Sequence, residues 1–353
     1  MNGNQHYDYW SAYDAALAEK QRETAEYKKL LFILAISVIA VTVVVQVAAL
    51  LAYQLLPLFP THPDWPSSIA GQDTSDSVFS EQDIAYFRMW LANDVIVYVP
   101  PLLAFGIIFR NRLNHTKPGD PYKFESVWVL PFFLAGIAIA TGSSIFTSVV
   151  AGLFSGGSSG EDVLPDIFRE VMPQSSTQLL IMFFTVGVIA PICEEIIYRH
   201  LLLKPLRRYG DLQAVIITSV LFGFFHGNMT QFLYTTMVGF ILGVAAVRAN
   251  SVTPAIIIHM LNNIYVVFNS HLLVLSERGE ISINSASLGA INIAVLVLGV
   301  TTLAVMGVKN MLTVENFNQH ISQRERAHIL ARRPSVIALA FFLIFITIIG
   351  TIG

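Results

Sequence analysis

A series of nine long apolar stretches constrains the fold of this chain more than any other feature. The first, residues 30–52, has Ser37, Thr42 and Gln46 as its only polar interruptions. About 20 apolar residues are enough for an α-helix to cross the hydrocarbon core of a bilayer. The remaining stretches are residues 91–109, 127–154, 178–199, 213–226, 231–247, 252–268, 288–308 and 335–352. Their number and length indicate an integral membrane protein.

Composition supports this interpretation and narrows the fold class. Charged residues make up 13% of the 353 residues, about half of the roughly 25% found in soluble domains. The stretches lack the strict alternation of apolar and polar residues that marks a transmembrane β-barrel. We therefore predict an all-α, polytopic transmembrane helix bundle with eight or nine spans. One cysteine excludes a disulfide scaffold, and a net charge of −3 gives no global basic footprint for nucleic acid.

The distribution of lysine and arginine predicts how the spans are oriented. Of 21 basic residues, only Arg88, Arg169 and Arg278 lie in one set of alternate loops, which leaves 18 in the N-terminal tail and the other set. Cytoplasmic loops carry the excess of positive charge in membrane proteins. We therefore expect the N-terminus in the cytoplasm and the protein in the plasma membrane. If all nine stretches cross, the C-terminus is external.

Ionisable side chains interrupt the apolar sequence at three places. Such groups are costly in lipid, so they usually face the interior of a bundle or a wet cavity. They are Glu194 and Glu195 in the fourth stretch, His226 at the end of the fifth, and His259 with Asn263, four residues apart, in the seventh. Asn93 and Asp94, by contrast, begin the second stretch, and we expect solvation at its outer end to explain them.

The two adjacent glutamates are expected to have different roles. Consecutive residues on a helix point about 100° apart, so their carboxylates do not face the same way. Glu195 precedes Arg199 by four residues, in the order that favours an ion pair on one helix face. We interpret this pair as structural, which leaves Glu194 free to face a cavity. A carboxyl group in desolvated surroundings is suited to act as a general base near neutral pH.

The other polar groups could complete a hydrolytic site, although each also has a structural explanation. His226 could bind or orient the same water as the glutamate, while His259 and Asn263 could donate hydrogen bonds to a developing oxyanion. Taken alone, a membrane histidine or asparagine is more often an interhelical hydrogen-bond donor. Phe222 is interpreted as packing, and Cys193 as a small buried hydrophobe.

The order of these groups on three spans resembles a known family. Glu-Glu-x-x-x-Arg, then Phe-x-x-x-His, then His-x-x-x-Asn is similar to the pattern of the type II CAAX prenyl endopeptidase and bacteriocin-immunity (Abi, or CPBP) family of intramembrane glutamic proteases. The matching residues are Glu194, Glu195 and Arg199; Phe222 and His226; and His259 and Asn263. The resemblance covers residues 178–268, about a quarter of the chain, and the flanking stretches do not contribute to it.

The resemblance implies a metal-independent endopeptidase with an active site inside the bilayer and no cofactor. In that family the first glutamate and the histidine of the second motif activate water, and the third motif forms the oxyanion site. These positions are Glu194, His226, His259 and Asn263 here, and the other three motif residues support them. The implied partners are membrane lipids and a membrane-associated or lipidated protein substrate, with no nucleic acid.

The chain is accordingly divided into four segments. They are a cytoplasmic N-terminal tail (1–29), N-terminal transmembrane helices with outer loops at 54–89 and 155–177 (together 30–177), a protease-like core (178–268) and C-terminal transmembrane helices (269–353).

Three other functions compete with this interpretation. A zinc metalloprotease could use Glu194, His226 and His259 as ligands, since histidine and carboxylate sets suit zinc, but the His-Glu-x-x-His signature is absent. A noncatalytic membrane immunity or scaffold protein of the same family could keep the same residues. A transporter is disfavoured, because the sequence shows neither a duplicated half nor a pair of interrupted spans.

Overall fold

The computed structural model describes residues 3–55, 80–113, 124–154, 172–314 and 320–352. Within these ranges the chain forms helices and no strands, so the expected all-α transmembrane bundle is confirmed. Most of the two outer loops, 54–89 and 155–177, lies outside the described residues. The helices are α1 (Gly3–Leu55), α2 (Glu81–Phe109), α3 (Val129–Phe154), α4 (Ser176–Arg207), α5 (Asp211–Phe225), α6 (Met229–Ala249), α7 (Thr253–Glu277), α8 (Ser285–Val308), α9 (Gln323–Arg332) and α10 (Pro334–Ile352).

Eight of these helices are long and apolar enough to cross a membrane. The fifth predicted span is the exception, because α5 has 15 residues, or about 22 Å at ~1.5 Å per residue. That length falls short of the roughly 30 Å hydrocarbon core. Helix α1 departs from the prediction in the other direction: it has 53 residues and continues without a break through the polar tail into the first span.

Helix α2 begins earlier than its apolar pattern indicates. Ser80 caps it by accepting a hydrogen bond from the backbone N–H of Asp83, and the helix then runs from Glu81 to Phe109. Asp94 therefore lies in the fourth turn and is buried, at 8% exposure. The expectation that solvation explains Asn93 and Asp94 is therefore wrong for Asp94, whose side chain is buried, whereas Asn93 is exposed.

Helix α4 carries the paired glutamates and is irregular on both sides of them. Thr185–Ile189 and Ile196–Leu203 are π-helical, and the α-helical segment Ala190–Glu195 lies between them. Such widened turns occur frequently at functional sites. They rotate successive residues relative to a regular α-helix, so the face that each side chain occupies cannot be read from a 3.6-residue period alone.

Close contact between α5 and α6 depends on glycine. A Cβ added to Gly223 would lie 2.8 Å from the Phe232 carbonyl oxygen, and one added to Gly243 would lie 2.9 Å from Val215. Small residues let membrane helices approach and gain packing energy. The hairpin between the two helices turns at Gly227, whose φ is 73°, and it fixes the end of α5 where His226 lies.

Contacts between loops place the basic segments at one end of the bundle. Lys20 pairs with Glu325 at 2.6 Å, and Arg208 pairs with Glu26 at 3.1 Å. Arg248 donates to the backbone carbonyl of Thr313 at 2.9 Å. The N-terminal tail and three loops that the charge count assigns to one side therefore meet in space.

Candidate active site

A fully buried ion pair anchors the site on α4. Arg199 Nε lies 3.0 Å from Glu195 Oε2, and neither side chain is exposed. The two atoms are not aligned as a hydrogen bond, so the attraction is mainly electrostatic. Arg199 Nη2 also donates to the backbone carbonyl of Gly239 at 3.1 Å, and its guanidinium lies 5.4 Å from the centre of the Phe222 ring. The four-residue spacing predicted the pair of Glu195 and Arg199, whereas the hydrogen bond from Arg199 to the Gly239 carbonyl was not predicted.

His259 connects this ion pair to the second glutamate. Its Nδ1 lies 3.1 Å from Glu195 Oε1, and its Nε2 lies 3.6 Å from Glu194 Oε2. A carboxylate paired with arginine can only accept hydrogen bonds, so Nδ1 carries a hydrogen and donates a hydrogen bond to Glu195 Oε1. The histidine is 5% exposed. Glu195 thus contacts both Arg199 and His259, a double role that its sequence position did not indicate.

Glu194 occupies a different environment from its neighbour. The hydroxyl of Tyr98 donates to Glu194 Oε1 at 2.9 Å, and 15% of the Glu194 side chain is exposed. Tyr98 belongs to α2, outside the segment that carries the three motifs. A helix outside the segment of the resemblance therefore contributes a contact to the site. In the sequence, this contact was indicated by nothing more than a single tyrosine, Tyr98, within the apolar stretch 91–109.

Phe222 packs between the two histidines of the site. Its ring is perpendicular to that of His226, with centres 5.0 Å apart, and perpendicular to that of His259, with centres 5.7 Å apart. His226 Nδ1 lies 2.9 Å from the Phe222 carbonyl oxygen. Since a carbonyl only accepts, Nδ1 carries the proton, and Nε2 of the neutral ring keeps its lone pair. That nitrogen is the one able to accept a proton.

Asn263 joins α7 to the first π-helical segment of α4. Its Nδ2 donates to the backbone carbonyl of Val186 at 2.9 Å. Close approach of the two helices is possible because a Cβ at Gly187 would lie 3.1 Å from Ile264. Asn263 lies four residues from His259 on α7, as the sequence indicates, but one of its amide hydrogens is used in this interhelical bond.

The alternative zinc set is not assembled in the described part of the chain. Among the described residues, no three histidine, cysteine, aspartate or glutamate side chains are arranged so that they could hold a metal ion. Glu194 and His259 are neighbours, whereas the Nδ1 of His226 is directed at a backbone carbonyl.

The fold and the site define a class: a polytopic membrane protein with an acid and histidine cluster buried among its helices. Residues 176–265 match a family described as "Type II CAAX prenyl endopeptidase Rce1-like". The resemblance that the three motifs indicated is therefore confirmed over that segment, which contains all seven motif residues.

Two curated relatives show the same relationship at low sequence identity. The chain is 24% identical over 205 residues to YdiL of Bacillus subtilis (strain 168), a provisionally assigned membrane peptidase, covering 56% of this chain and 75% of that protein. It is 26% identical over 161 residues to the membrane-embedded CAAX protease MroQ of Staphylococcus aureus (strain USA300), covering 44% of this chain and 63% of that protein. No solved structure matches the chain significantly. The comparisons support an intramembrane protease family.

Proposed function

We propose that this protein is a metal-independent intramembrane endopeptidase that hydrolyses a peptide bond with water activated by Glu194. The observation that carries the proposal is the contrast between two adjacent carboxylates. Glu195 is fully buried and contacts Arg199 and His259, whereas Glu194 keeps 15% of its side chain exposed. The fully buried Glu195 carboxylate presents no exposed atom to a substrate or a water molecule, whereas the Glu194 carboxylate is partly exposed.

In the proposed reaction, Glu194 removes a proton from a water molecule as the water oxygen attacks the scissile carbonyl carbon. The carbonyl π electrons move to oxygen and form an oxyanion. Glu194 then gives that proton to the amide nitrogen as the C–N bond breaks, which releases an amine and a carboxylic acid. His226 assists by accepting a hydrogen bond from the same water through Nε2, since its Nδ1 is held by the Phe222 carbonyl.

His259 and Asn263 are proposed to stabilise the oxyanion. The second amide hydrogen of Asn263 remains after the bond to Val186. His259 donates from Nδ1 to Glu195, so donation from Nε2 as well requires a proton on each ring nitrogen. Donors fixed by such buried partners need no reorganisation during the reaction, which is the basis of oxyanion stabilisation.

The position of the site supports a proposal about the class of substrate. Glu194 is in the middle of α4, and Tyr98 reaches it from another spanning helix. A scissile bond that reaches this site must belong to a segment that enters the membrane, so we propose a membrane-associated or lipidated protein substrate. The related MroQ is named a CAAX protease, which makes a lipidated C-terminus the first substrate to test.

The proposal is tested by cleavage of internally quenched peptides with purified protein in liposomes. One peptide ends in a farnesylated Cys-aliphatic-aliphatic-X sequence, and its partner is identical but unfarnesylated. Wild-type protein should cleave at least one of them, and the activity should survive EDTA and 1,10-phenanthroline. Glu194→Gln should lose it. Glu280→Gln is the matched control, because Glu280 is exposed in a loop and should retain activity.

The outcomes separate the competing functions. Activity lost to a chelator and restored by zinc would favour the metalloprotease alternative. Binding of a peptide without cleavage by folded wild-type protein would favour the noncatalytic immunity or scaffold alternative. Cleavage by Glu194→Gln at the wild-type rate would contradict the assignment of the base.

A further inference from the structure

Asp94 is a buried carboxylate that the proposed reaction does not use. It is 8% exposed, and its Oδ2 has no hydrogen-bond partner among the described residues. Ionisable groups inside membrane spans are costly and usually functional. Asp94 lies four residues before Tyr98 on α2, so the two side chains share one helix face. Tyr98 in turn donates to Glu194.

The face of α2 that contains Asp94 and Tyr98 points at the glutamate of the proposed reaction. The Tyr98 hydroxyl donates to Glu194 Oε1, and Asp94 lies one turn before Tyr98 on the same helix, buried and without a hydrogen-bond partner for its Oδ2 among the described residues. A hydrogen-bond donor stabilises the charged form of a carboxylate, and a nearby negative charge destabilises it. The two groups on α2 therefore act on Glu194 in opposite directions.

We propose that Tyr98 and Asp94 are positioning residues that set the orientation and basicity of Glu194, an inference that rests on the proposed function. Tyr98 holds Oε1 and leaves Oε2 on the side of His259. Asp94 strengthens Glu194 as a base through electrostatic repulsion. The matched family segment, residues 176–265, contains neither residue, so α2 supplies a part of the site from outside it.

Several other groups face Glu194. The polar and titratable groups that contact it or interact with its charge are Tyr98 and Asp94 on α2, Cys193 and Tyr198 on α4, Tyr234 on α6 and His259 on α7. The adjacent carboxylate, Glu195, is paired with Arg199, which leaves Asp94 as the carboxylate outside that ion pair, and Tyr98 donates directly to Glu194. Substituting them therefore tests the two effects separately.

The pH dependence of kcat distinguishes positioning from a structural role. In Tyr98→Phe the lost donor should move the acid limb of the profile to higher pH, on the order of one unit. In Asp94→Asn the lost charge should move the same limb to lower pH by a similar amount. KM should stay within about twofold in both variants, since neither residue is placed against the substrate. Tyr265→Phe is the matched control, because Tyr265 donates to Asn292 on α8 and should leave the limb in place.

A second measurement does not depend on cleavage. Infrared difference titration of the protonated carboxyl bands, with Glu194→Gln identifying the band of Glu194, reports the same opposite shifts directly. If both variants titrate as the wild type does, the inference about α2 is wrong even when peptides are cleaved. If the shifts appear but no peptide is cleaved, the two residues of α2 do set the basicity of Glu194, and the proposed function is wrong.

Discussion

Oε1 of Glu195 lies 3.1 Å from Nδ1 of His259, although 64 residues separate them in the chain. The contact extends the Glu195–Arg199 pair of α4 to α7 and, through His259 Nε2, on to Glu194. Four ionisable side chains thus form one buried series in which the arginine end is fixed and the glutamate end is partly exposed. The orientation of His259 is therefore set by a residue whose predicted role was only structural.

The bond from Asn263 to Val186 gives a first prediction. Asn263→Ala leaves the Val186 carbonyl without its partner, which should cost about 1–3 kcal/mol of stability. If Asn263 also stabilises the oxyanion, kcat should fall by about 10²–10³ with little change in KM. Thermal unfolding measures the loss of stability, and peptide-cleavage kinetics on the same preparation measure the fall in kcat. A kcat equal to that of the wild type at full folding would leave Asn263 as interhelical packing alone.

Glycine at the contact between α5 and α6 gives a second prediction. In Gly223→Ala the new Cβ would meet the Thr236 hydroxyl, which can rotate, and the Phe232 backbone carbonyl at 2.8 Å, which cannot. Overpacking of this kind costs typically about 1–3 kcal/mol. Because α5 ends at His226, activity should fall as well.

The control for Gly223 is a glycine without neighbours. Nothing lies within 4 Å of a Cβ added to Gly142 of α3, so Gly142→Ala should gain about 0.5–1 kcal/mol from helix propensity. Thermal unfolding in detergent compares the two. Equal stability of both variants would mean that α5 and α6 are not as closely packed as described.

The basic segments that meet at one end of the bundle give a third prediction, on orientation. We propose that this end is cytoplasmic and that the membrane is the plasma membrane. A reporter fused after Arg208 should then read cytoplasmic, and one placed within residues 155–177 should read external. The opposite pattern would invert the protein and place the N-terminal tail outside.

Glu325 gives a fourth prediction, on pH dependence outside the membrane. The ammonium group of Lys20 at 2.6 Å, with the backbone N–H of Ser322, lowers the pKa of Glu325 to about 2. Because the pKa is lowered, this contact between α1 and α9 stabilises the folded state fully when the pH is above 4.5, the ordinary pKa of a glutamate. Its contribution is lost as pH falls from there toward 2.

Removing Lys20 should therefore shift the titration of Glu325 upward. Lys20→Met should raise the pKa of Glu325 toward its ordinary value. Carbon-13 NMR of labelled glutamate carboxyls measures this titration, and the Glu325→Gln variant identifies the signal of Glu325. Arg22→Met is the control, because Arg22 pairs with Glu19 on the same helix and should leave Glu325 unchanged. An unshifted titration in Lys20→Met would show that the ion pair is not formed in solution.

Sequence reasoning found what depends on short separations along the chain. The apolar stretches locate the spanning helices because about 20 residues are needed to cross a bilayer, and the four-residue spacing of Glu195 and Arg199 predicts their pairing. Tyr98 and Gly239 were missed, because their contacts with Glu194 and Arg199 depend on how separate helices pack. The π-helical turns of α4 were missed because hydropathy carries no signal for them.

The paired glutamates give the last prediction, which separates their roles by stability. Glu195→Gln removes the charge that faces Arg199, and breaking a buried pair on one side costs roughly 3–5 kcal/mol. Because Glu195 also orients His259, activity should fall too. Adding Arg199→Met removes the unpaired charge and should recover part of the stability.

Glu194→Gln should behave in the opposite way. The amide oxygen of glutamine can still accept the Tyr98 hydrogen bond, and a neutral side chain avoids the cost of holding a mostly buried charge. Stability should be equal to or above that of the wild type while cleavage is lost, a common trade-off at functional sites. The measurement is the melting temperature in one detergent of four variants: Glu194→Gln, Glu195→Gln, Glu195→Gln with Arg199→Met, and the control Glu280→Gln. Their order shows which glutamate stabilises the fold. If Glu194→Gln melts lowest and Glu195→Gln keeps full stability, the two roles are assigned the wrong way round.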